Sequence, residues 1–577
     1  MSDEFEALLG RIGHSKGGRQ KTYVRQVMEI AYKNGLRSKA KSSFNGRRIG
    51  RGGVIGALAV GSETRSGQRR AVIKVRIAKL KAGNLSAAIA HMRYIQRDGV
   101  TLNGEPGQLY SKDSDTVDGP TFVESCNGDR HQFRMIVSAE DGAELGDPKP
   151  LVRDLMRRME LDLGTQLNWV AVDHFNTGHP HTHVVIKGKA EDRKDLIIAR
   201  DYITHGIRQQ ACELLTRELG PEDEFKQRLK LLRQVEHDRF TKLDTSLLKQ
   251  VDQGILVVSA MPLSDSISHS TKILRLRHLK NLGLAEEIQT GVWQIDENME
   301  PKLRALGQRI DITKTMHRAL REAGLDRPSG SFAIYDTTKA STRLVGRVAA
   351  LGLTDELTDR TYAVIDALDG RVVYVDLGNR RPDLLPQKGM IVSLESFATE
   401  DGKPKATQLR VLSYLNLEQL TDAQGATWLD RELIKPSADQ RRDQGFGAEV
   451  NNALTQRRQW LLSQGLGKVL DDGNFQPVPN MLAELKQRDI RRAIIQLAKE
   501  LQLEPNITVQ GEQVSGTYRQ SVNLASGKYA VIQKSKEFTL VPWRPELEKF
   551  RGQDIAGTIG IHDRFESIGR RTRGLEI

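Results

Sequence analysis

The chain has 577 residues, of which 38% are hydrophobic, 5% aromatic and 28% charged, with a formal net charge of +13. That length predicts about three to four domains with ordinary cores, and the composition excludes a disulfide scaffold or a collagen. Two cysteines, Cys126 and Cys212, exclude a disulfide framework or a Cys-rich zinc site and fit a reducing compartment.

Residues 1–80 hold 18 Lys/Arg against 5 Asp/Glu. Their net of +13 equals that of the whole chain, so the remainder is neutral in sum. The segment MSDEFEALLGRIGHSKGG lacks the apolar stretch of a secretory signal, and no apolar run reaches the ~18 residues of a membrane helix. The expectation is a cytoplasmic protein without membrane insertion. Residues 1–70, rich in Gly, Ser, Lys and Arg, read as a basic flexible arm with a short helix near 20–35. Such an arm suits a polyanion, because each neutralised phosphate releases counterions; a solubilising tail is the plainer alternative. Arg47, Arg48 and Arg51 are its candidate DNA contacts. The glycines of GRGGVIG (50–56) neither follow a strand nor open a clear helix, and no GxxxxGK[ST] occurs, so no nucleotide site is assigned.

Residues 71–79, AVIKVRIAK, alternate apolar and basic, a strand pattern. In NLSAAIAHMRYIQRDG the apolar residues Leu85, Ala88, Ile89, Met92 and Ile95 recur at helical spacing, and Gly99 ends the helix. Residues 100–130 read as loop. Strands follow at 131–138, 167–175 and 181–188, with helices at about 148–163, stopped by Gly164, and at 200–219. The order β-α-β-α-β-β-α argues a compact α+β sheet domain over 71–220.

Residues 221–330 read as helical. A basic helix at 270–284 precedes AEEIQTGVWQI, a hairpin about Thr290-Gly291, and helix followed by wing is a winged-helix pattern. Lys272, Arg275, Arg277 and Lys280 are its candidate phosphate contacts; a purely structural role is the alternative. Residues 331–420 are strand-rich and suggest a small β-barrel-like domain. Residues 421–577 read as a mixed α/β domain, with helices at 429–434, 446–464 and 480–501 and a late β-meander. No internal repeat is expected.

Four of the 13 histidines, His174, His179, His181 and His183, fall within ten residues. His181 and His183 are two apart and share one face of a strand. The short FNTGHP connection makes the preceding strand an antiparallel neighbour, so His174 can face that pair. Three imidazoles from adjacent strands form a facial site for a divalent metal, open on its other side. His179, in the turn beside Pro180, is the spare. Tyr94, flanked by Arg93 and Arg97, is a candidate nucleophile toward phosphate, with the guanidinium groups holding the phosphodiester. Most helical tyrosines merely pack, and the basic arm and histidine cluster are what raise this one.

At these residues the chain resembles the HUH endonuclease superfamily, specifically conjugative relaxases of the P class, related to T-DNA border-nicking endonucleases. The family's Tyr-x-x-Arg-(x)-Gly helix is matched by Tyr94-Ile95-Gln96-Arg97-Asp98-Gly99. Its His-x-Asp-x-x-His-Pro-His-x-His motif is matched at His174, His179, His181 and His183, with Asn176 in place of the Asp. The tyrosine precedes the histidines, as in relaxases and unlike replication initiators. The resemblance covers about 71–220, and the rest looks like the long C-terminal extension of one relaxase subgroup. It implies an HUH-type antiparallel sheet with flanking helices. It also implies strand-specific nicking and rejoining of DNA at an origin of transfer, single-stranded or as a hairpin, through a 5′-phosphotyrosyl intermediate. The implied metal is Mg²⁺ or Mn²⁺, with Zn²⁺ or Ni²⁺ also compatible with three imidazoles. Accessory relaxosome proteins and a type IV coupling protein are the implied partners. The alternatives are a rolling-circle replication or transposition enzyme, a metal-dependent nuclease using water, and a DNA-binding regulatory protein without nuclease activity.

Overall fold

The computed structural model describes residues 50–570 apart from 61–66, 81–84, 98–99, 102, 104, 176–179, 259–265, 337–342, 356–359, 381–384, 399–403, 435–440, 472, 508–510 and 561–563. It is an α+β protein with mostly antiparallel sheets. The chain divides into two compact units, residues 1–227 and 228–577. No described helix is long and apolar enough to cross a membrane.

The first unit folds earlier in the chain than the sequence suggests. Helix α1 (Gly53–Ala59) lies against Tyr202, and Arg51 pairs in parallel with Ile198. A Cβ on Gly56 would come within 2.3 Å of the Tyr202 nitrogen, which is what that glycine-rich stretch provides. Residues 50–60, expected within the flexible basic arm, are therefore part of the folded unit. The helix expected near 20–35, with Arg47 and Arg48, lies outside the described residues.

Strands β1 (Ala71–Lys79), β2 (His131–Ala139), β3 (Trp169–His174) and β4 (His181–Lys187) form one antiparallel sheet in the order β1-β2-β4-β3. Helices α2 (Ser86–Ile95), α3 (Gly119–Ser125), α4 (Lys149–Leu163) and α5 (Ile207–Leu219) flank it. Side-chain alternation divides the strands between two cores. Phe133, Met135, Trp169, Ala171, Val184 and Ile186 pack with α4 and α5. Val170, Val172 and Val185 face the other way, against Ala88, Met92 and Ile95 of α2 and Phe122 and Val123 of α3. Helix α3 replaces part of the loop expected at 100–130. Asp118 caps it, accepting from the Thr121 N–H, and Pro120 stands in its first turn, both ordinary helix-start signals. A π-helical turn, Tyr202–Gly206, precedes α5 where one continuous helix is expected.

Helix α6 (Glu224–Val235) spans the division between the units. The second unit is a tandem repeat, which overturns the expectation of none and regroups residues 331–577. The first copy holds α7 (Lys242–Leu248), β5 (Ile255–Val257), α8 (Ser266–Asn281), the hairpin β6 (Ala285–Gln289) and β7 (Val292–Ile295), and the long α9 (Met299–Ala323). A six-stranded sheet follows: β8 (Phe332–Ile334), β9 (Leu344–Asp355), β10 (Arg360–Ala367), β11 (Val372–Gly378), β12 (Ile391–Ala398) and β13 (Pro404–Ser413). The second copy holds α10 (Leu417–Thr421), α11 (Trp428–Ile434), α12 (Gly445–Ser463), the hairpin β14 (Gly467–Val469) and β15 (Phe475–Pro477), and the long α13 (Met481–Leu501). Its sheet is β16 (Glu504–Pro505), β17 (Gln513–Leu524), β18 (Gly527–Lys534), β19 (Glu537–Pro542), β20 (Asp554–Gly560) and β21 (Arg564–Arg570).

The two sheets share one order, β13-β12-β9-β10-β11-β8 and β21-β20-β17-β18-β19-β16. In each, the first strand in sequence is the parallel one. Among the described residues no pairing joins β8 to β13, but residues of all six strands, Ala333 of β8 and Leu409 and Val411 of β13 among them, pack in one core.

The sequence carries the same repeat. Thr241-Lys242-Leu243-Asp244 answers Thr427-Trp428-Leu429-Asp430, and Tyr362-Ala363-Val364-Ile365 recurs as Tyr529-Ala530-Val531-Ile532. From Arg275 to Leu303 and from Arg457 to Leu485 the copies align without a gap, and Gly283-Leu284 and Asn298-Met299 recur as Gly465-Leu466 and Asn480-Met481. Their geometry repeats too. Gly283 and Gly465 end α8 and α12 at φ 69° and 70°. The hairpin pairs Glu287↔Trp293 and Val469↔Phe475 occupy equivalent registers. A Cβ on Gly346 would meet the Asp366 carbonyl oxygen at 2.5 Å, and one on Gly516 would meet that of Gln533 at 2.4 Å.

The repeated element is held by a buried ion pair. Arg275 and Asp244 are both fully buried, joined by Nε–Oδ1 at 2.8 Å and a second N–H to Oδ2 at 2.9 Å. Arg457 and Asp430 repeat this at 2.7 and 2.9 Å. Each guanidinium also donates to backbone carbonyls: those of Val235, His237 and Arg239 in the first copy, and those of Ala423 and Gly425 in the second. A buried pair is sustained only when such hydrogen bonds satisfy its remaining donors.

Candidate metal centre

The histidines stand where two strands end together. In the β3–β4 register His174 is opposite His181, and Val172 is opposite His183. Cross-strand partners share a face, so all three imidazoles project to the side covered by α2. Their nitrogens lie within 4.8 Å of one another, and the ring centroids are 4.4 to 5.3 Å apart. His174 and His183 are buried and His181 is half-buried, so the cluster opens toward solvent on the His181 side. His179 and Asn176 lie outside the described residues.

The tautomer of His174 follows from its partner. Its Nε2 is 2.7 Å from the Ile95 carbonyl oxygen. A carbonyl only accepts, so Nε2 carries the hydrogen and Nδ1 presents a lone pair. That Nδ1 is buried with no hydrogen-bond partner among the described residues. Burial, then the neighbouring His183 and Arg97, push the His174 pKa down to about 3, which keeps the ring in its ligand form. A buried imidazole with one nitrogen fixed by a carbonyl and the other keeping its lone pair has the donor chemistry of a metal-ligating histidine. These three residues can hold a divalent ion, and nitrogen ligands alone do not fix which.

The helix bearing Tyr94 ends on this cluster, since Ile95, which anchors His174, is the last residue of α2. Arg97 lies over the Tyr94 ring, its guanidinium carbon 4.0 Å from the centroid, and donates to the Tyr94 carbonyl at 3.1 Å. It is close enough to His174 to act on that ring electrostatically. Arg93 is exposed. Asp173 points to the opposite face, where Oδ1 accepts from Tyr110 at 3.1 Å and from Thr182 at 2.6 Å, as strand alternation requires.

Three further basic residues, Lys74, Arg76 and the buried Arg134, share this face. Across the sheet, His183 pairs with Ile136 and Ile136 with Lys74; Val185 pairs with Arg134 and Arg134 with Arg76. Lys74, which is exposed, and Arg76 therefore share the face of the histidines. The apolar–basic alternation of AVIKVRIAK is the signal that could have found them.

Other candidates are corrected. Arg275 is fully buried against Asp244, so it serves the fold and contacts no phosphate. Arg51 donates to the Leu163 and Gly164 carbonyls at 3.0 Å each, closing the C-terminus of α4, a capping role. Lys272, Arg277 and Lys280 stay on the surface of α8, Lys272 half-buried and Arg277 and Lys280 exposed.

The architecture defines an α+β protein with a three-imidazole metal-binding candidate and a duplicated C-terminal half. A family model described as "Protein of unknown function (DUF3363)" matches residues 272–403 and 395–575, more than half of the chain, and the chain belongs to that family. No curated protein matches it.

Proposed function

We propose that this protein is a conjugative relaxase of the HUH type, which nicks and rejoins one DNA strand at an origin of transfer and so starts mobilisation of a plasmid or integrative element. One observation carries the reading: three imidazoles converge within 4.8 Å, and the helix that carries Tyr94 supplies the carbonyl that orients one of them.

His174, His181 and His183 would hold the ion, Mg²⁺ or Mn²⁺ in the cell. When bound, it supplies Lewis-acid polarisation of the scissile phosphate and offsets charge in the transition state. The Tyr94 phenol oxygen attacks phosphorus in line, the bond to the 3′ oxygen breaks, and that oxygen leaves as a 3′-hydroxyl after taking up a proton. The phenol proton is released on attack. The 5′-phosphate stays on Tyr94, so the bond energy is stored, and a later 3′-hydroxyl reverses the step without ATP. Arg97, whose guanidinium carbon is 4.0 Å from the phenol ring centroid, adds positive charge beside the attacking group. Arg93, exposed on α2, would meet phosphate from solvent. Lys74, Arg76, Lys272, Arg277 and Lys280 position the DNA without reading its sequence. Accessory proteins of the transfer complex and a type IV coupling protein are the expected partners.

The test is to incubate the protein with single-stranded origin-region oligonucleotides and Mg²⁺ or Mn²⁺, then run a denaturing gel. Protein retained on the 5′ product supports the reading. Cleavage leaving a free 5′-phosphate assigns the attack to water.

A further inference from the structure

We propose that the duplicated C-terminal unit is a two-headed reader of duplex DNA, with α8 and α12 each docking on its own segment. Nothing in this depends on the nicking chemistry.

The copies share the helix, hairpin and long helix of a winged-helix arrangement, locked by the same Arg–Asp pair. In such folds the helix before the hairpin enters the major groove. Because α8 and α12 align without a gap, their outward positions correspond. Ser270, Leu274, Arg277 and Asn281 are exposed on α8, and Asn452, Gln456, Gln459 and Ser463 on α12. These positions recur at i, i+4, i+7 and i+11, one face of a helix.

The two faces have diverged in a way that fits one polyanion. Neither α8 nor α12 from Val450 onward contains a carboxylate. The one acid early in α12, Glu449, is already paired with Arg327 and Arg347. Helix α8 offers Arg277, with Lys280 beside it, for phosphate contact. Helix α12 offers amides, the side chains that bond adenine bidentately in the major groove. A protein partner would place no such requirement on the charge of both helices. The first copy then supplies salt-dependent affinity and the second supplies sequence preference.

The experiment selects duplexes from a random-sequence library with the full chain and footprints the winners. The inference expects two protected segments. Gln456→Ala with Gln459→Ala, both surface changes, should erase the sequence preference of one segment and leave the salt dependence unchanged. Arg277→Ala with Lys280→Ala should weaken binding to all sequences and lower the slope of log affinity against log salt by roughly 2. A single protected segment overturns the inference. So does an unchanged preference in the α12 variant, or no enrichment at all, which would leave α12 to a protein partner. Covalent adduct formation on single-stranded DNA, measured in parallel, is unaffected by the α12 variant if both readings hold. Failure of either assay leaves the other standing.

Discussion

His174 and Ile95 are joined by a 2.7 Å hydrogen bond from the imidazole Nε2 to the backbone carbonyl at the end of α2. The bond ties the histidine cluster on the sheet to the helix carrying Tyr94, and it selects the tautomer in which Nδ1 keeps its lone pair. Removing the ring therefore removes both a ligand and the tie to α2. With Mn²⁺ at about 100 times its dissociation constant, the wild-type protein should gain about 2.7 kcal/mol of stability. Melting with Mn²⁺ and with chelator measures this gain, and His174→Ala or His183→Ala should abolish it.

The ion-free protein should weaken in mild acid. The pKa of His174 is pushed down to about 3 by burial and by its neighbours, against an ordinary value near 6.5. Between those values the unfolded chain binds a proton that the folded ring refuses, so stability rises with pH in that window and falls as pH drops through it. Urea midpoints for the ion-free protein should decline from pH 7 to pH 5. His174→Gln should flatten part of that decline.

Arg275 and Arg277 stand two residues apart on α8 with opposite fates. Arg275→Ala leaves Asp244 buried and uncompensated, which costs about 3–5 kcal/mol. Arg277→Ala, at the surface, should change stability by less than about 0.5 kcal/mol. The repeat extends the prediction: Arg457→Ala, which strands Asp430, should resemble Arg275→Ala. Chemical denaturation of the variants checks the set.

The first unit was legible because its signals are local. Strand alternation in AVIKVRIAK, the stop at Gly164 and the spacing of His181 and His183 each fix an element or a face, and the strands fall within two residues of expectation. Helix α3 was missed because its three turn-forming residues, Asp118, Gly119 and Pro120, also suit a loop. Arg275 was misassigned because charge in a helix suggests the surface, and only the distant Asp244 and backbone carbonyls show that it is buried. The repeat escaped because its identities are spread thinly. They mark the buried pair, a helix end and a strand centre, while the exposed positions between them have diverged. No local pattern in the sequence could show that two six-stranded sheets share one order.

The central claim is that Tyr94 forms a covalent bond to DNA at the histidine site. The most direct measurement is mass spectrometry of the protein after incubation with a single-stranded origin oligonucleotide and Mn²⁺, followed by digestion. A nucleotide phosphate on the peptide containing Tyr94, absent with chelator and absent in Tyr94→Phe, is the predicted result. Cleaved DNA with no modified peptide, or an adduct that persists in Tyr94→Phe, would contradict it.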